Sequence, residues 1–267
     1  MNSADRTFRL PGPVKDLIDI RLDLQSWPEV EEYLKNCQGI ILPIGSTEQH
    51  GPTGAIGTDA FTAQAVALEV GRKTGVFVAP IQPFGMAEHH LGFPGTMSLK
   101  PSTLILLLND LFLSLLRNGF QRIYLINGHG GNIATIKAAF MQAYNSASSE
   151  NIPNAKDFRF KLNNWFMAQE VSKFARENYG NKEGQHATPS EISMTLHIWP
   201  SLKNKQRPLK KPSPSGPIYG SEDFRIRYPD GRIGSDPYLA NEYHGEKLLE
   251  LASEALANDL TDFLISP

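Results

Sequence analysis

The sequence predicts an α/β fold: one layered domain built on a mostly parallel β-sheet flanked by helices. Three observations predict it. Nearly continuous apolar runs recur along the chain, as expected for strands covered on both faces. Helical periodicity fills the stretches between them. The most polar runs follow directly on the ends of apolar ones, where ligands gather in parallel sheets.

Four segments read as core strands: Gly39–Ile44, Val76–Ile81, Arg122–Ile126 and Phe158–Leu162. Between them, Asp59–Lys73 carries Ala63, Val66, Ala67 and Val70 at helical spacing. Ser102–Asn118 sets Leu104, Leu107, Leu108, Leu111 and Leu115 on one stripe, and Gly119 suits the residue just past the helix end. Asn132–Ala147 follows the third strand, with Asn132 placed to cap it. Thr188-x-x-Glu191 is a capping box and Pro189 suits the first helical position, so a helix over Pro189–Ile198 follows. Asn241–Leu264 is a long amphipathic helix. The Pro-, Gly- and Lys-rich stretch Ser201–Asp236 reads as a surface excursion that covers the site or forms a subunit contact. No linker divides the chain, so residues 1–267 are expected to form a single domain with its core at about 39–264.

Composition excludes several classes. The formal charge is −2 over 267 residues, with no basic stripe, so nucleic acid is not an expected partner. Lys203–Lys211 is locally basic but is broken by Pro208 and reads as a solvated loop. The most apolar stretch, Thr103–Leu116, is interrupted by Asn109, Asp110 and Ser114 and is too short to span a bilayer. Met1–Pro13 lacks the apolar core of a signal peptide. Cys37 is the only cysteine, which rules out an intrachain disulfide and fits a reducing cytosol. The expectation is a soluble cytoplasmic protein that makes no use of membranes.

The densest chemistry is Glu48-Gln49-His50-Gly51-Pro52 followed by Gly57-Thr58-Asp59, just past the first strand. Residues two apart on an extended backbone point to one side, so Glu48 and His50 converge, and Asp59 returns to them after the turn. One imidazole and two carboxylates form the ligand set of a zinc, manganese or iron site. Asp59 is a candidate bridge between two metals, although it equally suits the first turn of the next helix. His129 sits between glycines at the end of the third strand and is a further candidate ligand. His186 is not needed by the capping box that follows it. With a reference pKa near 6.5, it is a candidate general acid or base. Glu191 is a candidate metal ligand or partner of His186. His90, in Glu88-His89-His90, faces substrate or supports the ligands. Trp165 is a candidate stacking platform, with a packed aromatic as the default. The chain has no phosphate-binding glycine loop, and Ser46 does not sit in a nucleophile elbow.

Together these runs resemble the creatininase (creatinine amidohydrolase) family. The resemblance rests on the first run, on His90-Leu91-Gly92-Phe93-Pro94-Gly95-Thr96, on Asn127-Gly128-His129-Gly130-Gly131-Asn132, on His186-Ala187 with Glu191, and on Gly234-Ser235-Asp236-Pro237. It covers about Gly39 to Leu249. It implies a layered α/β fold, two divalent metals per chain and often a hexamer. By position, it makes Glu48 and His129 ligands of one metal, His50 a ligand of the other, Asp59 the bridge and His186 the catalytic histidine. Two positions depart from creatininase itself. Gly131 stands where a carboxylate ligates the second metal, and Lys182 where a tryptophan contributes to a flap. Both point away from creatinine as substrate and direct attention to Glu191, or water, to complete the second metal shell.

The expected activity is metal-dependent hydrolysis of a non-peptide C–N bond in a small cyclic amide or formamide. A metal-activated water would attack the carbonyl, and His186 would shuttle the proton to the leaving nitrogen. The rivals are a peptidase of the same family and a catalytically silent, metal-stabilised binding protein.

Overall fold

The computed structural model describes residues 10–205, 207, 209 and 211–265. The expectation for Met1–Pro13 therefore falls largely outside the described residues, as do Pro208 and the other masked positions of the Lys203–Lys211 loop.

The elements in chain order are α1 (Trp27–Leu34), β1 (Gly39–Ile44), α2 (Thr58–Thr74), α3 (Pro101–Arg117), β2 (Arg122–Asn127), α4 (Asn132–Ser149), β3 (Arg159–Asn164), α5 (Gln169–Tyr179), α6 (Pro189–Ile198), α7 (Ser221–Arg227) and α8 (Glu242–Ile265), with short 3-10 turns between them. The sheet is parallel, in the order β1-β2-β3. Gly39 pairs with Arg122 and Ile44 with Asn127, while Arg122 pairs with Arg159 and Asn127 with Asn164. All three strands therefore end level, and the loops after β1 and β2 leave the same edge.

Alternation along the strands feeds two cores. Ile41, Tyr124 and Ile126 face Val66, Ala67 and Val70 of α2 and Leu248, Leu256 and Leu260 of α8. Ile40, Leu42, Ile44, Ile123 and Leu125 face Leu104, Leu108 and Phe112 of α3 and Ile136, Ala139 and Ala143 of α4. β3 is half-buried and polar. Lys161 and Asn163 reach Asp259 of α8 at 2.7 and 2.6 Å, which covers this edge strand with side chains.

One expected strand is corrected. Val76–Ile81 lies beside β1 but forms only isolated bridges, Val78 to Ile41 and to Arg21, with Gln82 just past it bridging Ile44. Prolines explain the interruption. Ile41 donates to Phe77 O and Ala79 donates to Ile41 O, both at 2.8 Å. The next rung needs an N–H from Pro43, which has none. Pairing resumes one residue out of step, past Pro80, where Gln82 donates to Pro43 O at 3.0 Å.

A second expectation is refined. Asn132 does not cap α4. Its Oδ1 accepts from Met86 N at 2.9 Å, and its Nδ2 donates to Gly45 O at 2.9 Å and Asn127 Oδ1 at 3.1 Å. This fully buried amide ties three loops at the carboxyl edge of the sheet. Asn132→Ala would leave Met86 N and Gly45 O without these partners. We expect a loss of about 3 kcal/mol in urea unfolding at unchanged m-value.

Candidate metal centre

The loop after β1 is pinned by Glu48 N donating to Ile56 O at 2.9 Å, and Asp59 lies in the first turn of α2. Glu48, His50, Asp59 and His129 are all buried. They converge as the sequence indicates. His50 Nε2 lies 3.0 Å from Asp59 Oδ1, and His129 Nδ1 lies 3.2 Å from both Asp59 Oδ2 and Glu48 Oε2. Glu191 Oε2 stands 3.7 Å from His50 Nε2. Its other oxygen accepts from Thr188 N at 2.6 Å, so Glu191 caps α6 and faces the cluster at once.

Backbone carbonyls orient the imidazoles. His50 Nδ1 donates to Glu48 O at 3.1 Å, leaving Nε2 for the cluster. His129 Nε2 donates to Met86 O at 2.9 Å, leaving Nδ1. Holding the far nitrogen on a carbonyl is how metal-binding histidines are usually fixed in tautomer and direction. His186 Nε2 lies 2.8 Å from the Gln49 carbonyl, so its Nδ1 turns inward, 3.7 Å from Glu48 Oε1.

The donor set fits divalent cations. Both oxygens of Glu48 and Oδ2 of Asp59 are buried without a hydrogen bond. A buried carboxylate needs compensating charge. In the isolated chain the histidines supply it. Burial opposes a charge on His50, but Asp59 and Glu191 override it and hold its pKa well above the ordinary value. Glu48 and Asp59 do the same for His129 against its burial. Burial opposes ionisation of Glu48, yet His129 and His90 hold its pKa well below the usual range. Among the described residues three ligand groupings have donor atoms within 4.8 Å of one another: Glu48/Asp59/His129, His50/His186/Glu191 and Glu48/His90/His186.

His90 is buried against this cluster, its Nε2 3.2 Å from Glu48 Oε1 and its Nδ1 2.9 Å from Gln49 Nε2. Trp165 is not at the site. It packs in the core with its indole N–H on Thr62 Oγ1 at 3.2 Å, and its neighbour Phe166 lines the cavity instead.

Several contributors escaped the sequence reading. Gln49 joins His90 to the Gly231 carbonyl, which lies within the excursion. Phe224 of α7 is fully buried and meets the rings of His90 and His186 at 4.7 and 6.4 Å, so part of the 201–236 excursion covers the centre. Ala187 holds φ +55°, a strained turn between His186 and α6. Glu183 donates nothing to the motif pattern, yet it lines the same cavity of about 430 Å³ as Glu48, Asp59 and His129.

The structure also explains Gly131. A Cβ there would stand 2.4 Å from His129 Nε2 and 2.6 Å from Met86 O. The hydrogen bond that orients His129 occupies the space a side chain would need.

The creatinine amidohydrolase (creatininase) family model matches residues 23–260. The chain belongs to the creatininase family. Among curated relatives, it is 32% identical over 181 residues to the 3-dehydro-scyllo-inosose hydrolase of Thermotoga maritima, covering 67% of this chain and 56% of that one. It is 26% identical over 235 residues to the creatinine amidohydrolase of Pseudomonas putida, covering 84% and 88%. A solved manganese form of creatininase superposes with a TM-score of 0.77 at 23% identity, over 92% of this chain and 99% of that one. The expected creatininase-like α/β fold is thereby shown. Among the described residues no helix is long and apolar enough to cross a membrane.

Two predictions follow from this geometry. Gly131→Glu, whose Cβ would strike His129 Nε2 and Met86 O, should displace His129 and lower bound metal, measured by elemental analysis of purified protein. Burial pushes the Glu183 carboxyl up to about 7. In the unfolded chain that group ionises near 4.5. Between those values the unfolded chain releases its proton first, so stability falls as pH rises from about 4.5 through about 7. Glu183→Gln removes this dependence. Relative to wild type it should gain ~2–3 kcal/mol at pH 8 over pH 5 in urea unfolding.

Proposed function

We propose that the protein is a metal-dependent amidohydrolase that holds two divalent cations at this centre and cleaves a non-peptide C–N bond, in a cyclic amide or a formamide. One observation carries the reading. The two oxygens of Asp59 face different histidines, Oδ1 at 3.0 Å from His50 Nε2 and Oδ2 at 3.2 Å from His129 Nδ1. In this reading Glu48, His129 and Asp59 would hold one cation, and His50, Glu191 and Asp59 would hold its neighbour. Zinc, manganese and iron all suit imidazole with carboxylate. When bound, the cations polarise a carbonyl and activate water near neutral pH.

The chain's own residues do the rest. His186 accepts a proton at Nδ1 and passes it to the leaving nitrogen, its Nε2 hydrogen staying on Gln49 O. Burial, reinforced by His90 and His50, holds its pKa well below the ordinary value, so it starts neutral. His90, held through Nδ1 by Gln49, directs Nε2 at Glu48 Oε1 and steadies that carboxylate. Phe224 keeps water off the histidine rings from the α7 side. The cytoplasmic location, on the strength of the single Cys37, and a homo-oligomeric, hexameric assembly, on the strength of the family resemblance, remain part of the proposal.

Metal analysis and kinetics test the assignment. Wild type should carry about two cations per chain. Asp59→Ala should lose both, and Glu191→Gln should lose one. His186→Ala should keep its metal and lose about 10²–10⁴ in kcat on a responsive amide. A chain that binds no zinc, manganese or iron would sink the mechanism. A metal-loaded chain that binds amides and formamides yet hydrolyses none would establish the silent binding protein instead.

A further inference from the structure

The centre opens on two cavities rather than one. The first, about 430 Å³, holds Glu48, Asp59 and Glu191 and is walled by Phe166, Ser172, Ala175 and Arg176. The second, about 750 Å³, lies on the excursion side and is walled by His89, His90, Ile218 and Tyr219. His129, Gly130, Gln185 and His186 line both. Gly130 is exposed, and a Cβ built on it meets nothing within 4 Å. This stretch is a low sill between the cavities, with the proposed proton-transfer histidine beside it.

The two walls differ in chemistry. Ser172, Ala175 and Arg176 lie three and four residues apart, on one face of α5. Among the described residues Arg176 is the only Lys or Arg lining the first cavity, whose other charged walls are Glu48, Asp59, Glu183 and Glu191. Its guanidinium makes no side-chain ion pair among the described residues, whereas nearby Lys182 lies 3.6 Å from Asp236. A free guanidinium at the rim of a cavity favours an incoming carboxylate or phosphate. The second cavity offers large, partly exposed apolar side chains instead, Ile218 and Tyr219.

We propose that the substrate is an extended amide that crosses the Gly130 sill, with an anionic arm held by Arg176 on one side of the scissile bond and an apolar or aromatic arm against Ile218 and Tyr219 on the other. This rests on the amidohydrolase reading for its chemistry and replaces the cyclic amide or formamide with an open-chain amide: a compact ring such as creatinine fills neither arm. In the reaction water supplies hydroxyl to the acyl carbon, the C–N bond breaks, and the remaining proton goes to nitrogen. The products are a dicarboxylate-like acid and an amine.

N-benzylsuccinamate carries both arms. N-benzylbutanamide lacks the anionic arm, and succinamate lacks the aromatic one. With metal-loaded wild type, kcat/KM for the two-armed probe should exceed that for each one-armed probe by at least about tenfold. Arg176→Gln should collapse the preference over N-benzylbutanamide to near unity, mainly through KM. Gly130→Phe, whose Cβ meets nothing within 4 Å and whose ring would stand on the sill, should collapse the preference over succinamate. Equal rates for all three probes in wild type, or preferences that survive both substitutions, would overturn the proposal. If no probe is hydrolysed, calorimetric binding of the three decides separately. The same ranking in affinity, lost in the same variants, supports the two-armed site while the hydrolase reading fails. Absence of that ranking overturns the proposal itself.

Discussion

Everything at the carboxyl edge of this sheet depends on buried negative charge. Glu48 and Asp59 are almost wholly withdrawn from water, and Glu191 approaches the same point. Moving one carboxylate out of water costs several kcal/mol even after the protein relaxes. Such groups persist only beside positive charge, and here that charge is imidazole in the isolated chain and, in the proposed function, divalent metal. The hydrogen-bond pattern conforms to this demand. The histidines that face the carboxylates spend their far nitrogens on backbone carbonyls, so their remaining nitrogens have one direction left to point.

That direction is only as good as the backbone that sets it. Glu48 and His50 follow β1, and His129 follows β2, while the even register of the two strands brings their loops out at one height. Asn132 then bonds Gly45, Met86 and Asn127 together. One of its partners, Met86, also receives the His129 hydrogen bond. The chain from sheet register to amide to carbonyl to imidazole is short and has no exposed link. The loops can therefore be irregular in sequence yet rigid in position.

How much of this was legible in the sequence follows from what each signal reports. Periodicity reports burial on one face, and it located α2, α3, α4 and α8 to within a residue or two, while the capping box and Pro189 located α6. The seven-residue α7 and the exposed α1 lack a wide apolar stripe, and they were not seen; the short α5 was missed although Val171, Phe174, Ala175 and Tyr179 recur at helical spacing, because polar residues surround them. Val76–Ile81 looks like a strand because it is apolar. The proline that interrupts its pairing lies partly on the other strand, at Pro43, where no reading of the segment alone would find it. At the site, ligand-type residues were visible because their spacing is local. Gln49, Phe224 and Glu183 were not, because their roles come from contacts across more than a hundred positions or from burial alone. Trp165 shows the converse error: a suitable residue type at a suitable strand end, turned into the core because Thr62 offers its N–H a partner.

The exchange at Gly131 joins these strands of argument. A carboxylate on the loop after β2 would compete for space with the bond that aims His129. A carboxylate at the start of α6 meets no such conflict, because the helix already needs Glu191 for its cap. The same residue thus stabilises a helix end and supplies charge to His50. His186 stands five residues before it, across the strained turn at Ala187. The group proposed to move the proton and the group proposed to complete the second cation site are consequently set by one structural unit. Whatever shifts the start of α6 shifts both together.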